Sequence, residues 1–187
     1  MSSFVNAIEK PRLSVKTQTI ATVSAIIGAV VLPQLFHVMG AVSGLGTSLG
    51  EAFLPMHLPV ILVGLFAGAV PGAIAGLLSP LISSLLTGMP AQVMLPFMML
   101  ELCAYGAFSG LLRNKKMPNI AKVLTAQVAG RAVRAVAILV AVYALGNESI
   151  EIAVIWKSVA TGIMGLALQW TLIPLLIYRI ENIKKHE

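Results

Sequence analysis

At 187 residues the chain is 58% hydrophobic and only 11% charged, with a mean hydropathy of +0.92. A soluble domain carries roughly a quarter charged residues, so a fully water-facing surface is excluded and the exterior must face lipid. The net charge of +6 does not imply nucleic acid, because ten of the thirteen Lys and Arg fall in three short clusters flanking apolar runs: Lys10, Arg12, Lys16; Arg113, Lys115, Lys116, Lys122; and Arg179, Lys184, Lys185.

Residues 1–16 are polar, and no short apolar stretch with a small-residue cleavage site follows them. A retained first helix is expected, not a cleaved signal peptide. A membrane-crossing helix needs about 20 apolar residues at about 1.5 Å each. In chain order six segments qualify: 19–39, 53–70, 72–86 (parted from the second by Pro71), 93–112, 123–145 and 153–177. The expected fold is an all-α integral membrane bundle of six transmembrane helices in a single domain. Residues 1–16 form a cytoplasmic segment, 17–180 the bundle and 181–187 a cytoplasmic tail. The one cysteine, Cys103, excludes an intrachain disulfide.

Loop charge orients the bundle. With six spans and the N-terminus inside, the 113–122 connection and the C-terminus are also inside, and every basic cluster is cytoplasmic. The three outer connections, 40–52, 87–92 and 146–152, contain no Lys or Arg. Five or seven spans would move the last cluster outside, against the positive-inside rule.

Small residues recur at helical spacing. Ala21, Ala25 and Ala29 form a smooth stripe on the first helix, open to lipid or to a partner subunit, and periodicity alone does not choose. Gly64, Gly68, Gly72 and Gly76 run from the second segment into the third, a pattern favouring internal helix packing. The loop at 40–52 holds four glycines and suits either a mobile cover or a plain connector.

Ionisable groups at membrane depth are costly and mark functional candidates. Glu101 lies 12 residues before Arg113, and Arg134 lies 12 after Lys122. Both therefore stand roughly 18 Å above the inner boundary on adjacent antiparallel helices. Arg131 is one turn below Arg134 on the same face. A Glu101–Arg134 pair would cancel much of the burial cost, yet one carboxylate against two guanidinium groups leaves positive charge for an anionic or strongly polar ligand. Gln127, Tyr105, Asn147, His57 and Gln92 are further candidate ligand donors. Gln169 and Trp170 lie deep in the last segment, where Trp reads more readily as packing than as ligand stacking. His37, Glu51 and His57 are too widely spaced to argue for a metal, so no metal or cofactor is expected.

The chain lacks the G-x-x-x-x-G-K-[ST] loop, G-x-S-x-G and H-E-x-x-H, and it contains no Asp. An enzyme is therefore the weaker class, and ATP is not hydrolysed here through a P-loop.

The run Met56-His57-Leu58-Pro59-Val60, followed by Leu78-Ser79-Pro80-Leu81, Leu85-Leu86-Thr87-Gly88-Met89-Pro90, Met99-Leu100-Glu101-Leu102 and Tyr105-Gly106, resembles the substrate-binding S components of energy-coupling factor (ECF) vitamin transporters. The likeness extends over most of 17–180. It implies a bacterial plasma-membrane protein that captures a vitamin from outside and reorients to release it. It also implies docking on a membrane scaffold subunit through an A-x-x-x-A stripe, here Ala21, Ala25 and Ala29. Two cytoplasmic ATPase subunits would supply power. The motif set is most similar to the pantothenate branch, with hydroxymethylpyrimidine or pyridoxine and cobalamin S components as alternatives. A membrane protein of structural or assembly role, without a small-molecule ligand, is the competing class.

Overall fold

A computed structural model describes the backbone of residues 13–186 and the side chains of 13–180. The expectations for residues 1–12, including Lys10 and Arg12, and for Lys184 and Lys185 in the tail lie outside the side chains so described. Helix dominates, and no strand occurs among the described residues. Among the described residues, five helices are long and apolar enough to cross a membrane: Val15–Ser43, Ser48–Ala67, Ala69–Thr87, Asn119–Ala144 and Ile163–Ile180. Large apolar side chains such as Ile20, Val23, Ile27, Val31 and Leu35 on the first helix stand exposed, as a lipid-facing exterior requires. The protein is an all-α, multi-pass membrane protein.

Helix α1 (Val15–Ser43) starts where the Ser14 hydroxyl accepts the Thr17 N–H at 3.2 Å, and it stops at Gly44, whose φ of 75° is left-handed. A short α2 (Ser48–Phe53) follows. Next come α3 (His57–Ala67) and α4 (Ala69–Thr87), divided by Gly68 alone at φ 114°. The sequence placed this division at Pro71. Pro71 instead sits in the first turn of α4, where its missing N–H has no helical partner to lose, and Gly68 makes the turn that a Cβ would strain.

Helix α5 (Leu95–Leu111) is the centre of the bundle and packs against α3, α4 and α6. Glycine sets how closely it approaches α4. A Cβ on Gly72 would fall on the backbone of Gly106, one on Gly76 on Leu102, and one on Gly110 on Gly68 and Ala69. Ascending numbers on α4 meet descending numbers on α5, so the two run antiparallel with their backbones in contact. A Cβ on Gly64 would meet Ser109 and Gly106, while His57 meets Tyr105, so α3 runs parallel to α5 and antiparallel to α4. With 17 residues, α5 spans roughly 25 Å, short of the roughly 30 Å hydrocarbon thickness.

Helix α6 (Asn119–Leu139) returns antiparallel to α5 and continues into a π-helical turn, Val140–Ala144. At the α5–α6 corner the buried Lys122 Nζ donates to the Arg113 carbonyl at 2.8 Å, placing a cation on the C-terminal end of α5. The sixth expected segment, 153–177, is two helices: α7 (Ala153–Thr161) and α8 (Ile163–His186). Gly162 lies between them, and a Cβ there would sit 2.6 Å from Leu54 Cδ1 and 3.2 Å from Arg131 Nη2. The break admits the α2–α3 corner and Arg131 to the same spot. Ala29, Val60, Ile61, Leu65, Leu102, Tyr105, Val123, Ile173 and Ile177 form the main core, where α1, α3, α5, α6 and α8 meet.

Candidate functional site: a buried carboxylate held by two arginines

Glu101, on the second turn of α5, is fully buried. Its Oε2 accepts from Arg134 Nη1 at 2.9 Å, and its Oε1 accepts from the Tyr105 hydroxyl at 3.0 Å. Arg131 Nε lies 3.3 Å from Oε1 as an ion-pair partner without hydrogen-bond alignment. The four-residue step from Glu101 to Tyr105 and the three-residue step from Arg131 to Arg134 put each pair on one helix face, and the antiparallel α5–α6 contact joins them. Close approach here also depends on Gly130, where a Cβ would fall on the Tyr105 ring. The pairing inferred from two 12-residue spacings is therefore present, and Arg131 joins it.

Arg131 Nη1 donates to Ser158 Oγ at 3.1 Å, and Ser158 Oγ donates to the Ile155 carbonyl at 2.9 Å. This places α7 against the cluster, a contact not legible in sequence because Ser158 was one serine within an assumed continuous span. Arg131 Nε and Nη2 and Arg134 Nε are buried and have no hydrogen-bond partner among the described residues. His57, at the start of α3 and 4% exposed, brings Nε2 to 3.9 Å from Glu101 Oε1, and neither ring nitrogen has a hydrogen-bond partner among the described residues. Its ring lies 5.1 Å from that of Tyr105.

A cavity of about 200 Å³ adjoins the arginines, walled by Arg131, Arg134, Ala132, Ile155, Ser158 and Trp156 among others. It is smaller than the roughly 300–1,000 Å³ of drug-sized sites, and its surface is almost wholly apolar. A larger cleft of about 610 Å³ lies between the start of α5 and the π-helical turn, and it includes Gln92, Phe97, Leu100, Asn147 and Ser149. Gln92 and Asn147 thus line a second space and do not join the charge cluster.

Gln127 also has a different setting. Its Nε2 donates to Gln169 Oε1 at 3.0 Å, its Oε1 accepts the Trp170 indole N–H at 2.7 Å, and Gln169 Nε2 donates to the Leu54 carbonyl at 3.3 Å. These bonds tie α6, α8 and the α2–α3 corner together. Trp170, expected from sequence as a packing residue, is with Gln169 a member of a polar network.

Ala25 and Ala29, expected as an open docking stripe together with Ala21, are 8% and 0% exposed. Ala25 packs with Val63, Ala67 and Ala75, and Ala21 lies partly buried beside them. In this arrangement the stripe is the seam between α1 and α3–α4, so it does not offer an open face. No group of three His, Cys, Asp or Glu that could hold a metal occurs among the described residues. Comparison with protein-family models, with curated proteins and with solved structures finds no match.

Proposed function

We propose that this chain is the substrate-binding subunit of an ECF-type importer, capturing an anionic vitamin, with pantothenate the leading candidate. The observation that carries the proposal is the charge count in the cluster: Glu101 faces both Arg131 and Arg134, beside a cavity, in a largely apolar bundle. One net positive charge left at membrane depth calls for a counter-anion, and guanidinium groups offer paired donors to a carboxylate. Pantothenate supplies one carboxylate, and its hydroxyl groups could meet His57 or Ser158.

In this reading the chain crosses the membrane six times with both ends cytoplasmic. Helix α5 is the additional span, because it lies between α4 and α6 and is antiparallel to both. The basic residues Arg113, Lys115 and Lys116 follow its end and would mark the inner face. Glu101, Arg134 and the start of α3 then fall in the outer half, on the side from which the ligand arrives. A separate scaffold subunit and two ATPases would supply power, and the chain is not an enzyme. Since Ala25 and Ala29 are enclosed, scaffold contact through that stripe would require α1 to part from α3.

The test is binding by the purified chain to a vitamin panel, read as thermal stabilisation. A ligand at about 100 times its dissociation constant stabilises by about 2.7 kcal/mol. Pantothenate is expected to give this response, and Arg134→Ala to remove it. No response to any vitamin would leave the structural or assembly reading in its place.

A further inference from the structure

The same cluster carries an inference about what kind of anion it accepts, and this inference rests on reading the cluster as the ligand's anion site. We propose that the site selects a monoanionic carboxylate and rejects a dianionic phosphate ester, with Glu101 as the specificity-determining residue.

Charge and donors lead to this. Every charged or titratable group in the cluster can be named: His57 from α3, Glu101 and Tyr105 from α5, and Arg131 and Arg134 from α6. Helix α7 contributes the neutral Ser158. With His57 neutral, one carboxylate and two guanidinium groups sum to +1. One unit of negative charge from a ligand brings the site to zero, and a second unit brings it to −1. The remaining cavity wall is apolar, with Ala132, Ala135, Ile155 and Val159, so it offers no further polar group to balance a second charge.

Geometry adds to this. Among the described residues, the buried guanidinium nitrogens without a hydrogen-bond partner are Arg131 Nε, Arg131 Nη2 and Arg134 Nε. These nitrogens are buried behind the cavity wall, and two of them turned toward it would serve the two oxygens of a carboxylate, whereas a phosphate ester presents three strong acceptor oxygens. Arg131 Nε is also 3.3 Å from Glu101 Oε1, so an anion drawn to that nitrogen approaches the Glu101 carboxylate. Like charges in one site repel, and a dianion meets that repulsion twice. Glu101 thereby holds the arginines in place and also limits the negative charge that they can accept.

The test uses the purified full-length chain and a matched pair of probes, butyrate and butyl phosphate, with affinity taken from thermal-shift titrations. At about pH 7.5 the ester is mainly dianionic, since its second pKa is about 6. Butyrate is expected to bind about tenfold or more tightly than the ester, given the several kcal/mol that like-charge juxtaposition costs. At about pH 5.5 the ester is mainly monoanionic and the gap should narrow. Protonation of His57 at the lower pH would raise the site charge by one and narrow the gap in the same direction. In Glu101→Gln the site charge rises to +2, and the preference should move toward butyl phosphate.

Equal or tighter binding of the ester to the wild-type chain at the higher pH overturns the proposal, as does failure of both probes to bind. A folded Glu101→Gln variant that keeps the wild-type preference overturns the role of Glu101. Should that variant not fold, the wild-type pH comparison decides alone. The vitamin reading fails separately, if butyrate binds selectively but no vitamin does.

Discussion

Valine placed at Gly72 or Gly106 tests the backbone contact on which the placement of α5 depends. A Cβ on either residue falls on the backbone of the other, well inside the roughly 3.5 Å that carbon atoms need. No side chain at that point can rotate away, so the helices must part by an amount on the order of 1 Å. Overpacking of this kind costs about 1–3 kcal/mol, and backbone against backbone belongs at the upper end. Each single variant should therefore unfold about 6–12 °C lower, at about 2–4 °C per kcal/mol for a chain of this size. The double variant separates this reasoning from ordinary additivity. Once one valine has opened the seam, the second enters space already made, and the pair should cost less than the sum by about 1–2 kcal/mol. Thermal unfolding in detergent with a thiol-reactive dye suits the measurement, because Cys103 is the only cysteine and lies partly buried in α5. Strict additivity, or single variants as stable as wild type, would refute the close α4–α5 contact.

Three further outcomes follow from the polar interior. Glu101→Leu leaves two buried guanidinium groups without their carboxylate and should destabilise by about 3–5 kcal/mol, while Leu at 101 combined with Met at 131 and 134 should recover most of that loss in the same melting assay. The combined variant should nevertheless bind no anion, which separates a ligand role from a purely structural one. Gln127→Leu strands the Trp170 indole N–H and the Gln169 amide oxygen, and chemical unfolding should register a cost of about 1–3 kcal/mol. Lys122→Met removes the charged hydrogen bond to the Arg113 carbonyl, with an expected cost of about 1.5–3 kcal/mol in the same unfolding experiment.

Much of the bundle was legible because the two signals used are long and local. Runs of apolar residues and the position of basic clusters located the helices, and two equal spacings about the 113–122 corner brought Glu101 level with Arg134. What sequence did not supply was the choice of neighbour. The alanine stripe of α1 has the spacing that permits close approach, but nothing in that spacing says whether a scaffold or α3 makes the approach. In this structure α3 and α4 make it. Gly162 illustrates the same limit: a single glycine within an apolar segment is common in membrane helices, and the α7–α8 break depends on Leu54 and Arg131 standing against it, which the segment's own residues do not encode. Residue type alone marks Gln92, Gln127 and Asn147 as candidate donors. Type did not reveal that Gln127 has its partners in Gln169 and Trp170, or that the other two line a separate cleft.

The most direct measurement is equilibrium binding of pantothenate to the purified full-length chain, beside Arg131→Ala and Arg134→Ala. Saturable binding to the wild type, weakened at least tenfold in either variant, is the expected result, because each guanidinium would lose charge-assisted bonds of about 1.5–3 kcal/mol. Affinity unchanged in both variants, or no binding of any vitamin to a folded chain, would contradict the assignment of the arginine pair as the ligand's anion site.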